Sequence, residues 1–377
     1  MRFSIVDLAV AIAILIAQVN VCSAQDASSR AKQAYGRAIE LESKGNHPAA
    51  LALLWQAADL APSDPEIQNA LGEALERIGA LDAAIAAYRA ALQPDPQFRR
   101  ASNNLILALV KAGKGEEAVQ RARDRVAQAP NDPDRYFTLG LAQSEQNVEE
   151  AMKSFRRALE IDPRHALARY NLALALDRSD RVAEAIEEMK QTLAIDPRAE
   201  THYRLGVMYS RQGEFDAAIR ELKAAIDRDP RSADAHAALG AVFRARRDWE
   251  NAERELRRAI AINPDPARHY TLAQVLQQRG DSAGATAALA EAERLRHRRE
   301  QDQQASVLTS VGTAKFDDGD LAGALELFRR AVAASDQYAP AYYQMGRTLQ
   351  RLGRNDEARD AFKRAASLNP SLAVPKL

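Results

Sequence analysis

The chain has 377 residues, 46% of them hydrophobic and 28% charged, with Lys+Arg and Asp+Glu balanced at 52 each. That balance leaves no net field to draw nucleic acid or an anionic membrane, and the apolar content is too high for a disordered chain. Cys22 is the single cysteine, so disulfides and thiolate metal clusters are excluded as the basis of the fold.

Residues 1–24 differ in kind from the rest. Arg2 opens a short basic segment, Leu8 to Ile16 is an unbroken apolar run, and Cys22-Ser-Ala24 puts small residues ahead of Gln25. This reads as a signal peptide cleaved after Ala24, with an uncleaved anchor as the alternative because Asp7, Gln18 and Asn20 interrupt the pattern. The apolar run is short for a membrane span. Val19-Asn-Val21 lacks the small residue that lipid attachment at Cys22 would want. The expected setting is an exported protein, periplasmic or secreted, with no membrane span after cleavage. Arginine far outnumbers lysine and alanine is abundant, which suggests a GC-rich bacterial genome.

After a short linker at residues 25–30, one pattern recurs about every 34 residues to the C-terminal end. Its clearest copy reads Tyr203-Arg-Leu-Gly206, then Tyr209, Gly213, Ala218, Leu222, Ala225 and Pro230. Apolar residues fall at helical spacing on two successive segments. Small residues at the eighth, twentieth and twenty-seventh positions let two helices cross closely, where larger ones would force the backbones apart. Gly213 suits the end of the first helix, and Pro230 stops the second.

These residues resemble the tetratricopeptide repeat family. On that pattern ten repeats begin at Ala31, Pro65, Arg99, Pro133, Ala166, Ala199, Ala233, Pro266, Ala305 and Ala339. The third is degenerate, with Ile106 where the small residue belongs, and the fourth is a residue short around Asn147. The resemblance implies an all-α, right-handed solenoid of about ten helical hairpins, whose product is surface rather than a catalytic pocket.

Two repeats depart from the rest. Positions that are apolar in most repeats become Thr286 and Glu293 in the eighth, and Arg359 and Ala366 in the tenth. A polar outer face is what a terminal cap requires, so the tenth is expected to close the array. The eighth resembles an internal cap. It runs into Arg294-Leu-Arg-His-Arg-Arg-Glu300, with no proline or glycine between Gly284 and Gly312. A helix continuing past its usual end is expected there. The organisation is then a repeat array over 31–298, a charged helical connection at 299–304, two further repeats over 305–372, and a tail at 373–377.

His202, His236 and His269 share the fourth position of three consecutive repeats. Helices stacked roughly 8–10 Å apart cannot share one metal between them, so a packing role is expected. No glycine-rich phosphate loop, nucleophile elbow or HExxH motif is present. The expectation is a non-enzymatic chain without cofactor, catalytic residue or metal site.

The resemblance places helix-A residues of each repeat on a concave face. Candidate groove residues are Phe137, Leu141, Tyr170, Asn171, Leu174, Tyr203, Arg204, Val207, Arg211, Arg244 and Tyr270. The aromatic and aliphatic ones either form a stripe for a peptide with apolar anchors or pack between neighbouring helices; both readings stay open. Glu66, Glu73 and Glu76 near one end, against Arg204, Arg211 and Arg244 further along, would orient a ligand with basic and acidic ends. The expected function is an interaction scaffold for a peptide segment or partner subunit in a bacterial envelope assembly, acting as a monomer. The alternative is a polysaccharide-handling subunit of an export machine, with groove aromatics as stacking platforms.

Overall fold

The computed structural model describes residues 26–370 and residue 372; the signal-peptide reading at 1–24 and the tail at 373–377 lie outside them. Every regular element among the described residues is an α-helix. The residues divide into two compact units, one ending at Pro197 and the other beginning at Arg198.

The first unit holds five hairpins. They pair α1 (residues 26–43) with α2 (His47–Leu60), α3 (Pro65–Arg77) with α4 (Leu81–Leu92), and α5 (Arg99–Lys111) with α6 (Gly115–Gln128). Then α7 (Pro133–Gln143) pairs with α8 (Val148–Ile161), and α9 (Ala166–Arg178) with α10 (Val182–Ile195). Residues 26–30, read from the sequence as a linker, are helical and continuous with the first repeat. The second unit opens with α11 (Ala199–Arg211) on α12 (Phe215–Arg228) and α13 (Ala233–Ala245) on α14 (Trp249–Ile262). It continues with α15 (Pro266–Arg279), α16 (Ser282–Asp317), α17 (Leu321–Ala334), α18 (Ala339–Arg351) and α19 (Asn355–Leu368).

Helix starts follow from side-chain caps. Asp64, Asp132, Asn147, Ser232, Asp265 and Asp281 each accept a hydrogen bond from a first-turn backbone N–H. Every hairpin turn but the fourth uses a left-handed residue, glycine at Gly213 with φ 77°. Arg247 stands at the same repeat position with φ 62° and carries a Cβ that this conformation disfavours. Its side chain is exposed. Arg247→Gly is therefore expected to raise stability by about 1 kcal/mol, read as a higher thermal midpoint. An unchanged or lower midpoint would mean that the arginine's own contacts outweigh the strain.

The cores show why position eight is small. A Cβ on Gly206 would fall 2.7 Å from Leu222 Cγ, and one on Gly346 would fall 2.8 Å from the Phe362 ring. The third repeat solves the same problem in reverse. Ile106 occupies position eight at 1% exposure, and Ala122 stands where other repeats carry Tyr88, Phe155 or Leu222. The volume moves across the hairpin and the packing is kept.

The second unit contains the one break in this rhythm. α16 is 36 residues long and serves as second helix of the eighth repeat and first helix of the ninth. Ala285, Ala288 and Ala292 are buried on its early turns, and Ala305, Thr309, Gly312 and Phe316 on its late ones. The middle is held by charge. Arg294 pairs with Glu291 at 2.5 Å, Arg296 with Glu293, and Arg299 with Asp265 at 2.7 Å. Ala305, expected to open a repeat after a connection, lies inside this helix.

Candidate functional site

Hairpins closed by small residues hold their first helices at fixed spacing, so position nine of successive repeats projects in a row. In the first compact unit Leu107, Leu141 and Leu174 line one cleft of about 350 Å3. Val110 and Val148 widen its apolar wall, and Asn171, Glu145 and Arg178 stand on its rim. Asn171 donates through Nδ2 to the Leu167 carbonyl at 2.8 Å, which fixes its amide at the edge. Arg178 reaches the Ser144 carbonyl at 3.2 Å and Glu145 at 3.3 Å.

Phe137, for which stripe and packing were both open, is half-buried with its ring against two neighbouring rings. Its ring lies 6.1 Å from Phe155 and 5.2 Å from His165, centroid to centroid. His165 also caps α9, accepting from Ala168 N at 3.1 Å. Tyr170 is half-buried on α9.

In the second compact unit Arg244 lines a larger cleft of about 630 Å3 with Trp249, Gln274, Gln277 and Leu289. Its guanidinium donates to Gln274 Oε1 at 2.7 Å. Tyr203 is half-buried against the core, with the Arg204 guanidinium 5.5 Å from its ring centroid. Burial, aided by the charge of Asp234, holds the Tyr203 phenol above its ordinary pKa. Arg204 also donates to Glu200 at 2.6 Å. Val207 is half-buried and Arg211 exposed on α11. Tyr270 donates its hydroxyl to Glu293 on α16, so its polar end is engaged within its own repeat.

The acidic side chains near the N-terminal end are met by the following repeat. Glu73 accepts from Asn69 at 2.9 Å, Asn104 at 3.0 Å and Arg100 at 3.1 Å. Glu66 pairs with Arg100 at 3.5 Å, and Glu76 with Lys111 at 2.5 Å. Glu76 also accepts from the Tyr88 hydroxyl at 3.0 Å, and burial with that charge pushes the Tyr88 phenol far up. These carboxylates bind repeat to repeat.

Two of the three position-four histidines have glutamate partners that the sequence reading missed. His202 meets Glu221 at 2.7 Å and His236 meets Glu255 at 2.8 Å, each across its own hairpin. Arg169 makes the same link to Glu188 at 2.6 Å. A histidine or arginine at position four and a glutamate nineteen residues later was the legible signal. Among the described residues no three His, Cys, Asp or Glu gather as metal ligands, and no helix is long and apolar enough to cross a membrane.

Comparison with known proteins gives the family. One tetratricopeptide repeat model matches residues 35–98, 103–166, 203–266 and 270–339, and a second matches 142–205 and 315–373. The chain belongs to the tetratricopeptide repeat family. A tetratricopeptide repeat protein from Parabacteroides merdae is similar in structure, with TM-score 0.51 and 17% identity over 66% of this chain and 99% of that one. A thermophilic repeat protein of Thermus thermophilus is similar at TM-score 0.42 and 24% identity, over 48% of this chain and 98% of its own. Yeast Tom70 gives TM-score 0.39 and 14% identity, over 90% and 92%. The family's fold is generally a non-enzymatic scaffold for protein interaction.

Proposed function

We infer that the chain scaffolds an envelope assembly by holding a peptide segment of a partner protein in the cleft of the first compact unit. The observation that carries this is the row of Leu107, Leu141 and Leu174, three consecutive repeats presenting one apolar floor with a polar rim. Such a floor suits apolar side chains spaced along a helix or extended strand, while Asn171 and Arg178 offer polar contacts at its edge. Export rests on the Leu8–Ile16 run and Cys22-Ser-Ala24. The polysaccharide alternative loses support because Phe137 is used in packing and Tyr270 is tied to Glu293.

The test is cross-linking in the native host, with envelope and soluble fractions captured separately and analysed by mass spectrometry. Leu141→Asp combined with Leu174→Asp is expected to lose at least ~10-fold in recovery of the principal envelope partner, since each buried leucine contributes about 1.5–3 kcal/mol. Both side chains are only half-buried, so the fold should survive, and circular dichroism checks that. Equal recovery by both baits would sink the cleft reading. Partners confined to the soluble fraction would sink the envelope setting.

A further inference from the structure

The first helix of a repeat normally buries positions three, seven and ten against the repeat ahead of it. Position seven is Leu71, Leu105, Leu172, Leu205 and Leu239 in five repeats, none more than 2% exposed. The ninth repeat cannot be covered that way, because its first helix is the far end of α16 and no hairpin precedes it on that face. Its three positions are Val307, Val311 and Ala314, with the valines 59% and 50% exposed.

The chain supplies its own control. The first repeat has no hairpin ahead of it among the described residues, and it places Gln33, Arg37 and Glu40 at the same three positions, all exposed. Where this face meets water it is polar; on α16 it is apolar. Leu289 adds a second anomaly. Its repeat position is buried elsewhere, even in the last repeat, where Phe362 is 1% exposed, yet Leu289 is 44% exposed.

Leu289 and Val307 are eighteen residues apart, five whole helical turns, so they lie on one line about 27 Å long. Between them the same line carries Glu293, Arg296, Glu300 and Gln303, all exposed and spaced alternately by four and three. That is the spacing of a helix-pairing seam. The seam is self-complementary in one orientation. An antiparallel pair centred on Arg298 sets Leu289 against Val307 of the second copy, Glu293 against Gln303, and Arg296 against Glu300. A parallel pair would set each charge against itself.

We propose that this face of α16 is a two-fold interface joining two copies of the chain through antiparallel α16 helices. Apolar contacts at both ends exclude water, and the charged centre fixes orientation and register. The dimer replaces the expected monomer. It also carries two copies of every binding surface, so a partner with repeated segments gains avidity. The proposal does not depend on what the groove binds.

Light scattering on the full chain is expected to give twice the single-chain mass. Leu289→Asp or Val307→Asp should halve it while leaving helicity unchanged, since both side chains already face solvent. Glu300→Arg alone should also halve it by facing Arg296 of the second copy with a like charge. Adding Arg296→Glu should bring the doubled mass back, which a merely local role in α16 would not do. A single-chain mass for the native protein overturns the proposal. So does a doubled mass that persists in the aspartate variants, or a charge reversal that fails to restore it.

Discussion

Gly346→Val is expected to cost about 3 kcal/mol, the upper end for forcing volume into a packed core, and to unfold the last hairpin first. Even one added carbon falls 2.8 Å from two atoms of the Phe362 ring. The ring is 1% exposed and stands edge-on to Tyr343 at 5.7 Å, so it has nowhere to move without opening the pocket shared with Leu349 and Ala361. Repeats draw stability from their neighbours, and among the described residues this hairpin has a neighbour on one side only. Hydrogen exchange should therefore show lost protection in α18 and α19 while α13 and α14 keep theirs. The third repeat indicates the rescue, since Ile106 is accommodated where Ala122 replaces the large residue opposite. Gly346→Val with Phe362→Ala should recover more than half of the loss. If the pair adds its costs instead, volume exchange across the hairpin is the wrong account.

The fold was legible because its determinants are local and repeated. Gly206, Ala218 and Ala225 state the helix crossing within one copy, and eight of the ten starting residues open a helix in the structure. The other two, Ala31 and Ala305, fall inside longer helices for opposite reasons. α1 extends ahead of the pattern, and α16 meets no breaker between Gly284 and Gly312. The candidate site was less legible. Phe137, Tyr170, Tyr203 and Tyr270 share the fifth position of their repeats and read as groove candidates, but whether such a side chain faces a ligand depends on residues elsewhere. Phe137 is claimed by Phe155 and His165, and Tyr270 by Glu293. Position nine, with Leu107, Leu141 and Leu174, has no such claimant and lines the cleft. The charges were harder still. Glu73 and Glu76 look like a free acidic patch until the partners Asn104 and Lys111, one repeat on, are counted.

Glu255→Gln tests the other kind of contact that the repeat period conceals. Glu255 is 4% exposed and accepts from His236 at 2.8 Å, with Arg258 at 3.1 Å and Arg254 at 3.3 Å. Burial by itself would raise the carboxyl's pKa. The hydrogen bond from His236 and the two arginine charges prevail and hold it below the ordinary carboxylate range. The folded state therefore gives up this proton more readily than the unfolded state does. The resulting stability is complete above the ordinary carboxylate range and is lost as pH falls through the depressed folded value. At neutral pH the amide should cost about 2 kcal/mol, less than for a wholly buried pair because both arginines stay half in water. The difference between native and variant should then shrink as pH falls below the ordinary carboxylate range, and close as the native carboxyl takes up its proton at its depressed value. Thermal midpoints of α13 and α14, followed by hydrogen exchange across that range, read the effect directly. A difference that stayed constant into acid would show that shape rather than charge sets the cost. A closing difference would mark the link between position four and the glutamate nineteen residues on as an electrostatic clamp. Arg169 with Glu188 and His202 with Glu221 then repeat that clamp from the same position of two earlier repeats.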